Sequence, residues 1–158
     1  MINLTRLPEP EILTQKKAKW LAVFLASKKK RPASGQYAHK TVVETLAAMS
    51  NWRCFYCEQS LKDRTPEVDH YVDLQIDSSL AFAWTNLYLA CKECNGKLRS
   101  ILISQCLDPC DASVDPADHL TFDDELIRPR NESACGANTI RKYKLDRPDL
   151  DYKRSKEL

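Results

Sequence analysis

Two cysteine pairs of identical spacing, Cys54-Phe-Tyr-Cys57 and Cys91-Lys-Glu-Cys94, stand 33 residues apart in this 158-residue chain. They constrain its fold more than any other feature. A two-residue gap lets one turn present two sulfurs to a single ion, and zinc prefers four thiolates in a tetrahedron. One such pair also fits a redox dithiol, but two together point to a structural four-cysteine zinc site. Binding of that kind contributes on the order of 10–16 kcal/mol at neutral pH, comparable with the stability of an ordinary domain. The reading requires reduced thiols. The start, MINLTRLPEPEIL, has no charged region followed by an apolar stretch, and no apolar run approaches the ~20 residues that span a bilayer. The expected setting is therefore cytoplasmic, with no membrane association. Cys106, Cys110 and Cys135 are read as free, partly buried thiols, because His119 is the only histidine near them.

A chain of this length fits one domain, residues 1–158, which would bury roughly 68–70% of its unfolded surface. Residues 1–50 read as a helical N-terminal extension. One helix follows Pro8 and Pro10, with Leu13, Trp20, Leu21, Phe24 and Leu25 at helical spacing up to the KKKRPASG breaker. A second is expected to start at Thr41 with Glu44 as a capping box, burying Val42, Val43, Leu46 and Met49. Residues 51–104 hold the chemistry. Glu67–Val72 alternates as a strand, Asn86–Ala90 reads as a second strand running into Cys91, and Asn95–Ile103 reads as a helix. Residues 105–158 form a C-terminal extension. It has turns at Asp108-Pro109 and Asp115-Pro116, a strand-like stretch at Leu120–Phe122, and one last short helix at Gly136–Leu145. With three glycines in the chain, there is no glycine-rich phosphate loop.

Net charge is +2, too balanced for a protein that coats nucleic acid by charge alone. Basic residues gather at both ends, from Lys16 to Arg31 and from Arg141 to Lys156, while no Lys or Arg occurs between Arg99 and Arg128. These clusters suit either phosphate contact or plain solvated helix faces.

Asp69-His70, then Asn86-Leu87, then Cys91-Lys-Glu-Cys94-Asn95-Gly-Lys97 resembles the HNH nuclease family and its ββα-metal fold. Asn95 stands where many members carry histidine, and asparagine also occurs there in active members. The resemblance implies an α+β protein: a ββα-metal (HNH) core with a structural four-cysteine zinc site, flanked by N-terminal helices and a C-terminal loop and helix extension. More widely, Trp52–Glu58, Ala81–Leu87, Asp118–Asp123 and Asn138–Pro148 resemble the PtuB-type HNH proteins of Septu and retron-associated antiphage systems. That likeness implies a DNA or RNA substrate and an ABC-type ATPase partner (PtuA-like). It also allows a retron reverse transcriptase with its DNA–RNA product.

Phosphodiester hydrolysis needs a base to activate water and positive charge to stabilise the phosphate and leaving oxygen. His70 is the candidate base, against a packed structural histidine. Asp69 and Asn95 are candidate ligands for one Mg²⁺ or Mn²⁺, since oxygen donors suit a hard cation. A helix N-cap is the plainer role for Asn95. Asn86 braces the loop after the first strand or orients His70, as the resemblance implies, or is simply a turn residue. Lys97 and Arg99 are candidate phosphate contacts or surface charges. His39, His119, Phe82 and Trp84 are read as structural. Trp20, Phe24, Leu145 and Tyr152, with little hairpin to cover them, suggest a partner-docking surface. Two other functions fit the same residues. One is an RNase acting on tRNA or other RNA in the manner of a toxin; the other is a non-catalytic zinc module that binds nucleic acid or a partner.

Overall fold

The carbonyl of Pro10 accepts the amides of Leu13 (2.9 Å) and Thr14 (3.2 Å), and so starts helix α1, Glu11–Ala26, in the computed structural model, which describes residues 1–157. The helix buries Leu13 and Phe24 and ends before Lys28, which turns left-handed at φ 56°. After the one-turn α2 (Ser34–Tyr37) comes α3 (Lys40–Ser50). The expected capping box does not form. His39 is the N-cap instead, and its Nδ1 accepts the Thr41 amide at 3.3 Å, meeting an orphan donor of the first turn. Val42 and Leu46 are buried, with Val43 and Met49 packed beside them as expected. Asn51, left-handed at φ 51°, ends α3 and delivers the chain to the first cysteine pair.

Strands β1 (Glu67–His70) and β2 (Leu87–Ala90) form an antiparallel hairpin that pairs Asp69 with Tyr88 and His70 with Leu87. All four residues of β2 are buried, because α3 covers one side and the tyrosine cluster fills the other. α4 (Lys92–Asn95) follows directly. It is a single turn, and the helix expected over Asn95–Ile103 is absent. The backbone there is satisfied from elsewhere: the Leu98 amide donates to the Lys142 carbonyl at 2.9 Å, and Lys142 Nζ donates to the carbonyls of Leu98 and Ile101. Those contacts displace the i→i−4 ladder.

The C-terminal extension holds a second hairpin, β3 (Leu120–Asp123) with β4 (Leu126–Pro129), then α5 (Ala134–Tyr143) and α6 (Pro148–Arg154). One core cluster runs from Leu4 to Leu145 and draws on all three segments of the chain. At its centre Tyr56 stacks on Tyr143 with ring centroids 3.9 Å apart, and Tyr71 stacks on Tyr88 at 4.6 Å. Arg6 fastens the N-terminal stretch over this stack, 4.4 Å above Tyr88 and bonded to the carbonyls of Trp84, Thr85 and Leu87. Three of the four residues expected to dock a partner are covered from within: Phe24 and Leu145 are buried, and Trp20 packs on Phe82 at 5.7 Å. Tyr152 alone stands in solvent, 65% exposed. No helix among the described residues is long and apolar enough to cross a membrane.

Gly136 lies where α5 crosses the end of the loop before β3. A Cβ there would collide with the His119 carbonyl oxygen, which is fixed by the Arg130 amide at 2.8 Å. Gly→Ala inside a helix ordinarily gains up to about 1 kcal/mol. Here Gly136→Ala is expected to destabilise by about 1–3 kcal/mol through overpacking. Thermal melts check the sign; a raised melting temperature would show that the close approach is absent.

Candidate active site and metal centre

The four sulfurs of Cys54, Cys57, Cys91 and Cys94 lie within 4.8 Å of one another. The Cys57 and Cys91 sulfurs are 3.7 Å apart. A zinc tetrahedron with bonds of ~2.3 Å has sulfur–sulfur edges of about 3.8 Å, so the donor set and its spacing fit zinc. Each pair is shaped by its own turn. The first is closed by the Glu58 amide on the Cys54 carbonyl at 2.9 Å, and by the Cys54 amide on the Gln59 carbonyl at 3.0 Å. In the second, Cys91 is the N-cap of α4, and its sulfur receives the Cys94 amide. Four protein ligands leave no open position, so the site holds structure rather than substrate. Cys106, Cys110 and Cys135 join no metal-sized group among the described residues.

The hairpin that the cysteines hold together faces a cleft of about 480 Å³. Asp69, His70, Asn95, Lys97 and Arg99 all line it, so the structure brings together five of the six residues proposed from the sequence. Alternation along β1 sends Asp69 and His70 to opposite faces. The His70 ring lies 4.6 Å from Tyr37, and its Nε2 is 2.9 Å from the Ala81 carbonyl. A carbonyl can only accept, so Nε2 carries the proton and Nδ1 keeps a lone pair. Burial pushes the His70 pKa down to about 4, and the Ala81 contact opposes this only in part.

Asn86, the sixth, sits behind the cleft. Its Oδ1 accepts the Val72 amide at 2.7 Å, and its Nδ2 donates to the carbonyls of Val72 and Leu80 at 3.2 and 3.3 Å. It therefore ties both ends of the loop between the strands. Because Leu80 precedes Ala81, the same tie fixes the carbonyl that orients His70.

Asp69 is buried, 4% exposed. Burial raises its pKa, while its partners favour the charged form: Lys97 Nζ is 2.7 Å from each carboxylate oxygen, and the Tyr56 hydroxyl donates at 2.6 Å. Lys97 also donates to the carbonyls of His70 (2.7 Å) and Tyr71 (3.3 Å). Its ammonium is thus turned inward on four acceptors, neither a surface charge nor aimed at an incoming phosphate. Arg99 is half-exposed at the rim, with Nε 2.7 Å from Asp73. Asn95 closes α4 rather than capping its start, and its Nδ2 donates to Glu67 at 2.6 Å.

These contacts bear on the Mg²⁺ or Mn²⁺ assigned to Asp69 and Asn95. The Lys97 ammonium occupies the position in front of Asp69, and Tyr56 takes a further lone pair. As arranged, the two residues do not form an open cation site. Sequence reasoning missed Tyr37, Tyr56, Glu67 and Asp73, which surround the candidate residues. Strand alternation hints at such company only in placing Glu67 and Tyr71 on the same face as Asp69. The remaining histidines are structural, His39 at the start of α3 and His119 with Nδ1 2.7 Å from Ser133 Oγ.

Metal analysis is expected to find one zinc per chain. Cys57→Ser and Cys91→Ser should each unfold or precipitate the protein, since a lost ligand forfeits much of the binding energy. An unchanged melting curve after either substitution would rule out the zinc clamp.

Residues 54–100 match the family model described as HNH endonuclease. The chain is 32% identical over 99 residues to the Septu protein PtuB of Bacillus thuringiensis, across 61% of this chain and 37% of that protein. It is 26% identical over 157 residues to the Septu protein PtuB of Bacillus mycoides (strain KBAB4), across 76% of this chain and 52% of that one. The chain thus spans between about a third and a half of the length of these relatives. Both cysteine pairs and the Asp69-His70 strand fall inside the matched span, so residues 54–100 form an HNH-type segment in a chain that is similar to the PtuB proteins.

Proposed function

We propose that the chain is a nuclease that hydrolyses phosphodiester bonds of DNA or RNA in the cleft beside β1, with His70 as general base. The observation that carries this reading is the His70 ring. Its Nε2 proton is held by the Ala81 carbonyl, Nδ1 keeps a lone pair, and the ring stays neutral down to about pH 4. Nδ1 takes the proton of a water as that water's oxygen attacks phosphorus, and the bond to the leaving oxygen breaks. Lys30, Arg31 and Arg99 line the cleft and supply positive charge for the phosphate. Asn86 acts through the loop and keeps Ala81 in place. The Mg²⁺ or Mn²⁺ of the family would supply further charge stabilisation, but at Asp69 and Asn95 it enters only with Lys97 displaced. The dependence of cleavage on added divalent cation tests that assignment.

The engagement of Asp69 by Lys97 favours a second reading, a zinc module that binds nucleic acid or a partner without cutting it. A toxin-like RNase would use the same cleft, because the chemistry is at phosphate. The relatives carry the name Septu. From this we propose a role as effector of an antiphage complex with an ABC-type ATPase of the PtuA kind. Nothing in those names supports the retron reverse transcriptase that the resemblance allows, and it is set aside.

With labelled DNA and RNA pools, His70→Ala should lower cleavage roughly 100- to 10,000-fold while keeping zinc and fold. Wild-type rates from that variant would move the base elsewhere, and no cleavage by the parent protein of either polymer would favour the binding module. The low His70 pKa adds a pH expectation. The neutral base is present above its pKa and is lost as pH falls through about 4, so kcat/KM should show no acid limb near pH 6.5. A limb at that pH would contradict a desolvated His70. Co-expression with a PtuA-like ATPase, read by light scattering, should give a joint particle. Separate elution with full nuclease activity in the free chain would defeat the partnership.

A further inference from the structure

Arg147 approaches the cysteine cluster from the far end of the chain. Its Nη1 lies 3.6 Å from Cys94 Sγ, and its Nη2 lies 3.5 Å from Cys57 Sγ and 3.8 Å from Cys91 Sγ. One guanidinium thus spans three of the four sulfurs. The local sequence dictates this placement. α5 stops at Lys144, left-handed at φ 54°, and Arg147 precedes Pro148, which holds it extended at φ −73° and ψ 145°. The side chain is 11% exposed and is steadied on both sides. Nη1 also donates to the Lys144 carbonyl at 3.1 Å, and Nε lies 3.0 Å from Asp149 Oδ1 as an ion pair outside hydrogen-bond geometry.

A zinc ion with four thiolates carries a net charge of −2, and three of these cysteines are buried. A buried anion is costly unless it is paired and hydrogen-bonded. Among the described residues, Arg147 is the cationic side chain within hydrogen-bond distance of the sulfurs. A planar fork of donors suits that task better than a single ammonium. We infer that Arg147 is the outer partner of the zinc–thiolate cluster: it slows loss of the ion and docks the α5–α6 extension onto the loaded clamp. This rests on the zinc reading of the four cysteines, and it gives the extension a role that neither the hairpin nor the cleft assigns.

The test uses the full chain with zinc and with cobalt(II) in its place, and compares the parent with Arg147→Met and Arg147→Lys. For Arg147→Met, zinc affinity against a chromogenic chelator should fall about 10- to 100-fold, the usual effect of losing an outer partner of a metal site. The sulfur-to-cobalt charge-transfer band should move to lower energy, because thiolates stripped of hydrogen bonds give up electrons more readily. Amides of α6 should exchange faster while those of β1 and β2 keep their protection. Arg147→Lys, which keeps the charge but cannot reach three sulfurs, should fall between the two. A packing role alone would leave the band where it is, so an unmoved band with parent-like zinc release in Arg147→Met overturns the inference. Should that variant fail to fold, Arg147→Lys is read by the same two measures, and parent values there overturn it. A parent protein that holds no zinc is a different result and defeats the zinc reading itself.

Discussion

The convergence of four cysteine sulfurs within 4.8 Å is the constraint on which the rest of the structure depends. A two-stranded hairpin is marginal by itself in water, and β1 and β2 are four residues each. Cys54 and Cys57 hold the segment that leads into this hairpin; Cys91 and Cys94 hold the turn that leaves it. The clamp therefore fixes both flanks of the pair that carries Asp69 and His70. It also fixes Tyr56, which lies inside the first cysteine pair and donates directly to Asp69. The structural metal site and the candidate active site share that residue between them.

Strand alternation then divides the chemistry. On one face of β1, Asp69 turns into the tyrosine core, where Lys97 and Tyr56 take up its oxygens. On the other face, His70 meets Tyr37 and the inter-strand loop. A buried carboxylate must be paired, and the inward turn of Lys97 is the pairing found here. A neutral histidine needs a fixed tautomer rather than a counter-charge, and Ala81, held by way of Asn86, supplies it. Both halves of the Asp69-His70 pair are thus satisfied by different means, and only His70 retains an unengaged basic lone pair.

Much of this is legible in the sequence, and the gaps have identifiable causes. The cysteine spacing, the short strands around Asp69-His70 and Leu87–Ala90, and helices near residues 11–26 and 40–50 all follow from local pattern. The helix expected after Asn95 does not form because Lys142, more than forty residues away, takes over its carbonyls; no local signal reports such a contact. Lys97 reads as a phosphate contact or a helix-surface charge, and Arg147 as a member of a basic cluster that suits phosphate contact or a solvated face. Each is drawn inward by a charge that only the folded chain brings near, Asp69 for one and the cysteine sulfurs for the other. Helix α6 does carry a start signal, since Pro148 sits at its first position. β4 is harder to read, because Arg128 and Pro129 break its alternation.

The central claim is that this zinc-held hairpin presents His70 as a neutral base with a defined tautomer. The chain has three histidines, so long-range proton–nitrogen spectra of the zinc-loaded protein can follow His70 individually. The account predicts an Nε2-protonated, uncharged ring throughout roughly pH 5–8, with titration only near pH 4. An Nδ1-protonated ring, or one that gains its second proton near pH 6.5, would contradict it.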